Sequence, residues 1–149
     1  MSYVTREQVS QALFNLINGV TDFQTSSRRL KQWDDIANVL KPAFYLTEQK
    51  ESHTQNPSEN TLTVRIIKYE AYIFVAETDP NAIPMTQLNN IIDLIDPSAG
   101  GVLKASPFTE RQTLGGLVWH CTINGEIDKV PGDFDGQGVA IIPISVIIP

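Results

Sequence analysis

Side-chain chemistry needs a nucleophile beside a base, a ligand set for a metal, or paired carboxylates, and this chain offers few candidates for any of them. Its single cysteine, Cys121, follows His120, while the second histidine, His53, stands far away in the sequence. Both neighbours fall in an alternating run that reads as a strand. Adjacent strand residues point to opposite faces, so the two form no dyad while the strand is regular. A core cysteine beside an edge histidine is the expectation. Two histidines and one cysteine at these spacings match no zinc pattern. Asp133-Phe134-Asp135-Gly136 is like a fragment of a calcium loop, but the other Asn/Asp ligands and the closing glutamate are missing. Aspartate beside glycine is ordinary turn chemistry. Asp93 and Asp96 stand three apart on an expected helix, with no partner that would put them to acid–base work. Gly100-Gly101 and Gly115-Gly116 lack the lysine and spacing of a phosphate-binding loop. The sequence therefore predicts no catalytic residue, no metal, no cofactor and no enzyme.

One cluster departs from the acidic background. Arg28, Arg29 and Lys31, flanked by Phe23 and Trp33, stand in a chain with 17 acidic and 11 basic side chains and a formal charge of −6. Arginine and tryptophan favour protein interfaces, where a planar fork and a large rigid ring supply contact area and directed hydrogen bonds. A solvated connection is the simpler account, and nucleic acid a third. The overall charge repels a phosphate backbone, so tight DNA binding is disfavoured. Arg28, Arg29, Lys31 and Trp33 are accordingly the candidate subunit or partner contact.

The elements that must position these residues follow from periodicity. A chain of 149 residues is one ordinary domain. One cysteine allows no internal disulfide, as is normal for a protein made in a reducing compartment, and a cytoplasmic origin is the expectation. No signal-peptide pattern opens the chain, and no stretch approaches the ~18 apolar residues of a membrane span, so a soluble protein with no membrane partner is expected. Val9, Leu13, Phe14, Ile17 and Val20 recur at helical spacing after a Thr5…Gln8 capping box, predicting a helix from Thr5 to Asn18 with Gly19 as its stop. Asp34 or Asp35 opens a short helical turn through Leu40, which Lys41-Pro42 ends. A strand from Ala43 to Glu51 follows. Ser52 to Asn60 has no apolar residue and reads as a mobile loop.

Leu62, Val64 and Ile66 share one parity and Tyr69, Ala71, Ile73 and Val75 the other. That predicts a long strand, Leu62 to Val75, with a bulge near Ile67 and Lys68. Leu88, Ile91, Ile92 and Ile95 form the stripe of a second helix, Met85 to Asp96, which Pro97 terminates. Gly115-Gly116 opens a strand in which Leu117, Trp119, Cys121 and Ile123 alternate with Val118, His120 and Thr122. Asn124-Gly125 is a strong hairpin signal, yet parity is kept beyond it and one long strand to Val130 is preferred. After a turn at Val130 to Gly138, the run Val139 to Ile148 is apolar on both faces and belongs in mid-sheet or under an oligomer contact. The fold class is α+β: a single domain, 1–149, with a mainly antiparallel or mixed β-sheet flanked by two or three helices.

Five phrases, in order, resemble the tail-terminator, or tail-completion, proteins of tailed bacteriophages. They are TSSRRLKQWDDI (25–36), KPAFYLTEQKE (41–51), LNNIIDLID (88–96), QTLGGLVWHCTINGEI (112–127) and GDFDGQGVAIIPISVIIP (132–149), the last being the most specific. The resemblance implies an α+β subunit of a six-membered ring that caps the tail tube, stops its polymerisation and presents a docking surface to the head's neck. The implied partners are copies of itself, the tail tube protein and the head–tail connector, with DNA only as passing cargo; the implied location is the virion. Another neck or head–tail joining subunit is the nearest alternative, and a small intracellular enzyme or adaptor the more distant one. A ring of identical chains closes through two different patches. The basic cluster is the candidate for one, and a sheet edge or the strand Leu62 to Val75 for the other.

Overall fold

Thr5 and Gln8 close their capping box in the computed structural model of the chain. The Thr5 hydroxyl accepts from the Gln8 N–H at 3.2 Å, and Gln8 Oε1 from the Thr5 N–H at 2.8 Å. These bonds satisfy donors that a helix start leaves orphaned. Helix α1 then runs Arg6–Asn18 and stops at Gly19. Val9, Leu13 and Ile17 are fully buried, and Ser10 is buried with them as the polar member of the stripe.

The structure describes residues 3–32, 35–54, 64–132 and 135–148. Trp33, Asp34, Leu62, Asp133 and Phe134 lie outside these residues, as does most of the expected 52–60 loop. Among the described residues no helix is long and apolar enough to cross a membrane.

Helix α2, Pro84–Ile95, carries Pro84 in its first turn, where the missing N–H costs nothing. Leu88, Ile91, Ile92 and Ile95 are all buried, each such side chain contributing about 1.5–3 kcal/mol. Asp96 falls outside the helix, its ψ of 121° being extended. Asp93 and Asp96 therefore do not share a helix face. Asp96 Oδ1 instead accepts from the Ser98 N–H (2.9 Å) and hydroxyl (2.8 Å), capping the 3-10 turn Pro97–Ala99. The third helix expected before Leu40 is a single 3-10 turn, Asn38–Leu40, entered from Ala37 rather than an aspartate. Ala37 supplies no capping oxygen and Pro42 blocks continuation, so nothing supports a second turn.

Among the described residues six strands form one mixed sheet: β1 Thr25–Ser27, β2 Ala43–Thr54, β3 Val64–Ala76, β4 His120–Ile123, β5 Asp128–Val130 and β6 Gln137–Ile148. Their order is β1-β2-β3-β6-β4, with β5 also paired to β6. Only β1 is parallel to its neighbour. It forms within a segment expected to be a mere connection. β2 outruns its expected end at Glu51, because ladder bonds need backbone and not apolar side chains. β3 pairs with β6 from Arg65↔Ile148 to Ala76↔Gln137 without a shift, so the phase change expected in β3 is not there. The irregularity lies in the facing strand, between Glu48 and Lys50 of β2.

The run after Gly115-Gly116 starts later than expected. Leu114, Gly115 and Gly116 all take positive φ, and the Val118 N–H closes a turn on the Thr113 carbonyl at 3.1 Å. Val118 is consequently buried and Trp119 exposed, the reverse of the expected parity. Beyond β4 the chain keeps its direction, as the long-strand reading holds, but breaks: residues 124–127 face only Ile142 and Pro143 before β5 pairs again at Asp128↔Ile141. Asn124-Gly125 makes no hairpin. Pro143 has no N–H for this ladder, which is where a bulge is tolerated.

Both helices pack on one face of the sheet. Val9, Leu13, Ile17 and the α2 stripe share a core with Phe44, Leu46, Ile67, Tyr69, Ala71, Ile73, Val75, Cys121 and the inward side chains of β6. The other face has a smaller cluster of Ile36, Ala43, Tyr45 and Phe74. The β6 run is thus central, as its two apolar faces predict.

After α2 the chain doubles back so closely that a Cβ on Gly101 would lie 2.5 Å from the Ile95 carbonyl carbon and 2.7 Å from the Asp96 nitrogen. Backbone cannot yield as a side-chain tip can. Gly101→Ala should therefore cost about 1–3 kcal/mol, read as a lower urea midpoint at unchanged slope; an unaltered midpoint would show that this reversal relaxes freely.

Candidate functional site

The basic cluster begins where β1 ends. Arg28 turns toward the helix side of the sheet and forks onto Glu7: Nη1 bonds Oε2, and Nη2 bonds Oε1 at 2.9 Å. It also reaches Gln11 at 3.4 Å and Glu48 at 3.5 Å. The Arg28 bond holds the Glu7 carboxyl below its ordinary value. Arg28 is thus an internal clamp between α1, β1 and β2. Arg29 and Lys31 are exposed, with no side-chain partner among the described residues. Only these two stay available as surface charge; Trp33 lies outside the described residues.

Leu30, Lys31 and Gln32 cross to the helix-free face and border a groove of about 460 Å³ with Tyr72, Phe74, Val130 and Val139. Leu30 and Val130 are 41% and 53% exposed. The groove is apolar apart from its rim. A second cleft, of about 490 Å³, lies between the segment from Glu77 to Pro84 and Gly132, Asp135 and Gly136. Its two aspartates serve turns: Asp79 accepts from the Asn81 N–H and Asp135 from the Gln137 N–H. Asp135-Gly136 is thus turn chemistry, as expected. Among the described residues no group of three or more His, Cys, Asp or Glu could hold a metal ion.

A buried polar network was not singled out in the sequence. The Ser10 hydroxyl donates to Glu48 Oε1, so the bond to Tyr69, at 2.8 Å, must have the tyrosine O–H as donor. Burial pushes the Tyr69 phenol up to about 12. The irregularity at Gln49 makes this possible. A regular strand would turn Glu48 and Glu51 to opposite faces, whereas the bulge lets both face α1. Glu51 accepts a two-pronged bond from Arg6, at 2.6 and 2.7 Å, and contacts His53 at 2.5 Å. Arg6, then His53, hold its carboxyl down at about 2. A serine in an apolar helical stripe was the available sign.

The network pairs a hydroxyl with a carboxylate, but Ser10 is wholly buried and no substrate reaches it. His120 and Cys121 point to opposite faces: His120 Nδ1 accepts from the Gln112 N–H at 3.2 Å, while Cys121 is enclosed, its thiol raised to about 12 by burial. A thiol so protonated is no nucleophile. At the same end of the sheet Arg111 stacks 3.5 Å from the Trp119 ring centroid and donates from Nε to the Trp119 carbonyl at 2.9 Å. Trp119 as a whole remains 50% exposed.

Two measurements test the network. Ser10→Ala should cost about 1–3 kcal/mol by stranding the Tyr69 hydroxyl, and the Ser10→Ala/Tyr69→Phe double variant should cost less than the two singles summed; strict additivity would show that the hydroxyls are uncoupled. Because the folded Glu51 carboxyl is depressed, its stabilisation is complete above the ordinary value of 4.5 and is lost as pH falls toward about 2. Glu51→Gln should flatten the stability-versus-pH curve across that window and leave more acidic points unchanged; an equal slope in both proteins would remove the role given to this ion pair. No protein-family model matches the chain, and no curated protein matches it.

Proposed function

We propose that the chain is a structural virion protein of the tail-terminator kind. It assembles into a ring, of six copies on the family resemblance, that caps the phage tail tube, ends its polymerisation and offers the head–tail connector a docking surface. The observation that carries this reading is the helix-free face of the sheet. There Tyr72, Val139, Ile141, Pro143 and Ile147 are only half-buried, and the segment before β2 crosses one end alone. Such a face suits contact with other chains more than a reaction.

A closed ring needs two unlike patches. Arg29 and Lys31, beside the apolar groove, supply one candidate. β3 cannot supply a free edge for the other, because β2 and β6 take both its sides. Open edges belong to β2, which β1 covers only at Ala43, Phe44 and Tyr45, and on the other side of the sheet to β4 and β5, each paired with β6 alone among the described residues. The acidic net charge of −6 suits a conduit through which a duplex passes without adhering.

Native mass spectrometry with negative-stain imaging should show annular particles that bind the ends of tail tubes. Rings that bind filled heads and ignore tubes would move the protein to the neck, and a strict monomer that also ignores tube ends would overturn the reading. Reversing Arg29 and Lys31 to glutamate should shift the mass distribution toward monomer, with Arg28 left intact because its clamp belongs to the fold.

A further inference from the structure

Phe108 is the most exposed large apolar side chain of the described residues, 95% accessible. Its loop is nonetheless fixed. The Glu110 N–H bonds the Ser106 carbonyl at 2.8 Å and the Ser106 N–H bonds the Arg111 carbonyl at 3.0 Å. Thr109 Oγ1 accepts from the Arg111 N–H at 3.3 Å, and Glu110 sits at a φ of 59°. Arg111 in turn ties the loop to Trp119. A ring presented this way loses little freedom on docking.

The groove bordered by Leu30, Tyr72, Phe74, Val130 and Val139 is the natural counterpart: apolar, open and about 460 Å³ in volume. Its rim bears Lys31, with Arg29 two residues earlier in the chain, while the loop bears Glu110; none has a side-chain partner among the described residues. The two features sit at opposite ends of β6. The groove lies beside Val139, whereas the Trp119 N–H bonds the Ile147 carbonyl at 2.9 Å. At ~3.3 Å per residue, roughly 26 Å of strand separates them. One chain therefore cannot fill its own groove.

We propose that Phe108 of one copy docks into the Leu30–Phe74–Val130 groove of the next, with Glu110 facing Lys31 and Arg29. The contact is heterologous, joining unlike patches head to tail, as a ring requires. It rests on the reading that the chain self-assembles, and it names the pair of surfaces that does so.

The test uses full-length variants at exposed positions, checked for native folding by near-UV circular dichroism. In sedimentation velocity, Phe108→Ala and Lys31→Glu should each weaken self-association at least about 30-fold, the scale of an interface hot spot. Glu110→Lys should restore most of the loss caused by Lys31→Glu. Under oxidation, a mixture of Phe108→Cys and Val130→Cys proteins should give a mixed dimer that neither gives alone. Wild-type rings with unweakened variants would overturn this contact and leave the self-assembly reading standing. Phe108→Cys crosslinking to itself would overturn it in favour of a symmetric contact. A wild-type protein that stays monomeric at every concentration and on tube ends would overturn both.

Discussion

The uninterrupted pairing of β3 with β6 is the constraint on which the other elements depend. From Arg65↔Ile148 to Ala76↔Gln137 the two strands keep one register, and the period of two fixes which side chain faces the helices along their whole length. Tyr69, Ala71, Ile73 and Val75 on β3, with Ala140, Ile142, Ile144 and Val146 on β6, then form the floor on which α1 and α2 lie. A slip of one residue would turn that floor over. Every irregularity is accordingly displaced outward: the bulge at Gln49 falls in β2, and the break around Asn124-Gly125 falls between β4 and β5. The centre sets the register and the flanking strands absorb the misfit.

The displaced irregularity in β2 has an electrostatic effect. With the parity changed at Gln49, Glu48 and Glu51 both look toward α1 and meet Ser10, Arg28 and Arg6. Two carboxylates on one face would repel each other without those partners, and Arg6 and Arg28 would be ordinary surface cations without the carboxylates. The ion pairs are part-exposed and contribute modestly one by one. Their geometric effect is larger, since they tie the start of α1 and the end of β1 to the strand beneath. This explains why the first arginine of the basic cluster is turned inward while the next basic residues face out.

Much of this was legible in the sequence, and the failures have definite causes. Both α-helices declared themselves by period, α1 also by its capping box and α2 by the proline that follows it, and β6 by being apolar on two faces. The bulge expected in β3 is not there: Val64 and Ile66 are apolar residues on the opposite face from Ile67 and Tyr69 in an unbroken alternation, and apolar side chains on both faces imitate a phase change. Asp96 was read as helical, yet an aspartate before Pro97 is pushed to extended backbone and serves better as a cap. Trp119 and Val118 exchanged sides because the positive φ values of Leu114, Gly115 and Gly116 coil the chain before the strand begins. The Ser10–Glu48–Tyr69 network was missed since its members are far apart in sequence and ordinary one by one. Arg28, Arg29 and Lys31 read as one cluster; only the fold separates a clamp from two free charges.

The two faces of the sheet divide the work between them. On the helix side, apolar packing is closed beneath α1 and α2, and even the buried polar groups, Ser10 and Tyr69, bond one another. On the other side the same strands expose alternate side chains that are nearly as apolar, Val139, Ile141 and Ile147 among them, under much less cover. β6 therefore spends its sequence on both faces at once. A strand in a one-layer cover would ordinarily turn polar residues outward, because exposed β-branched rows invite association. Their retention here is explained if association is what the face is for, and the rigid helix layer behind it keeps that face in a fixed shape.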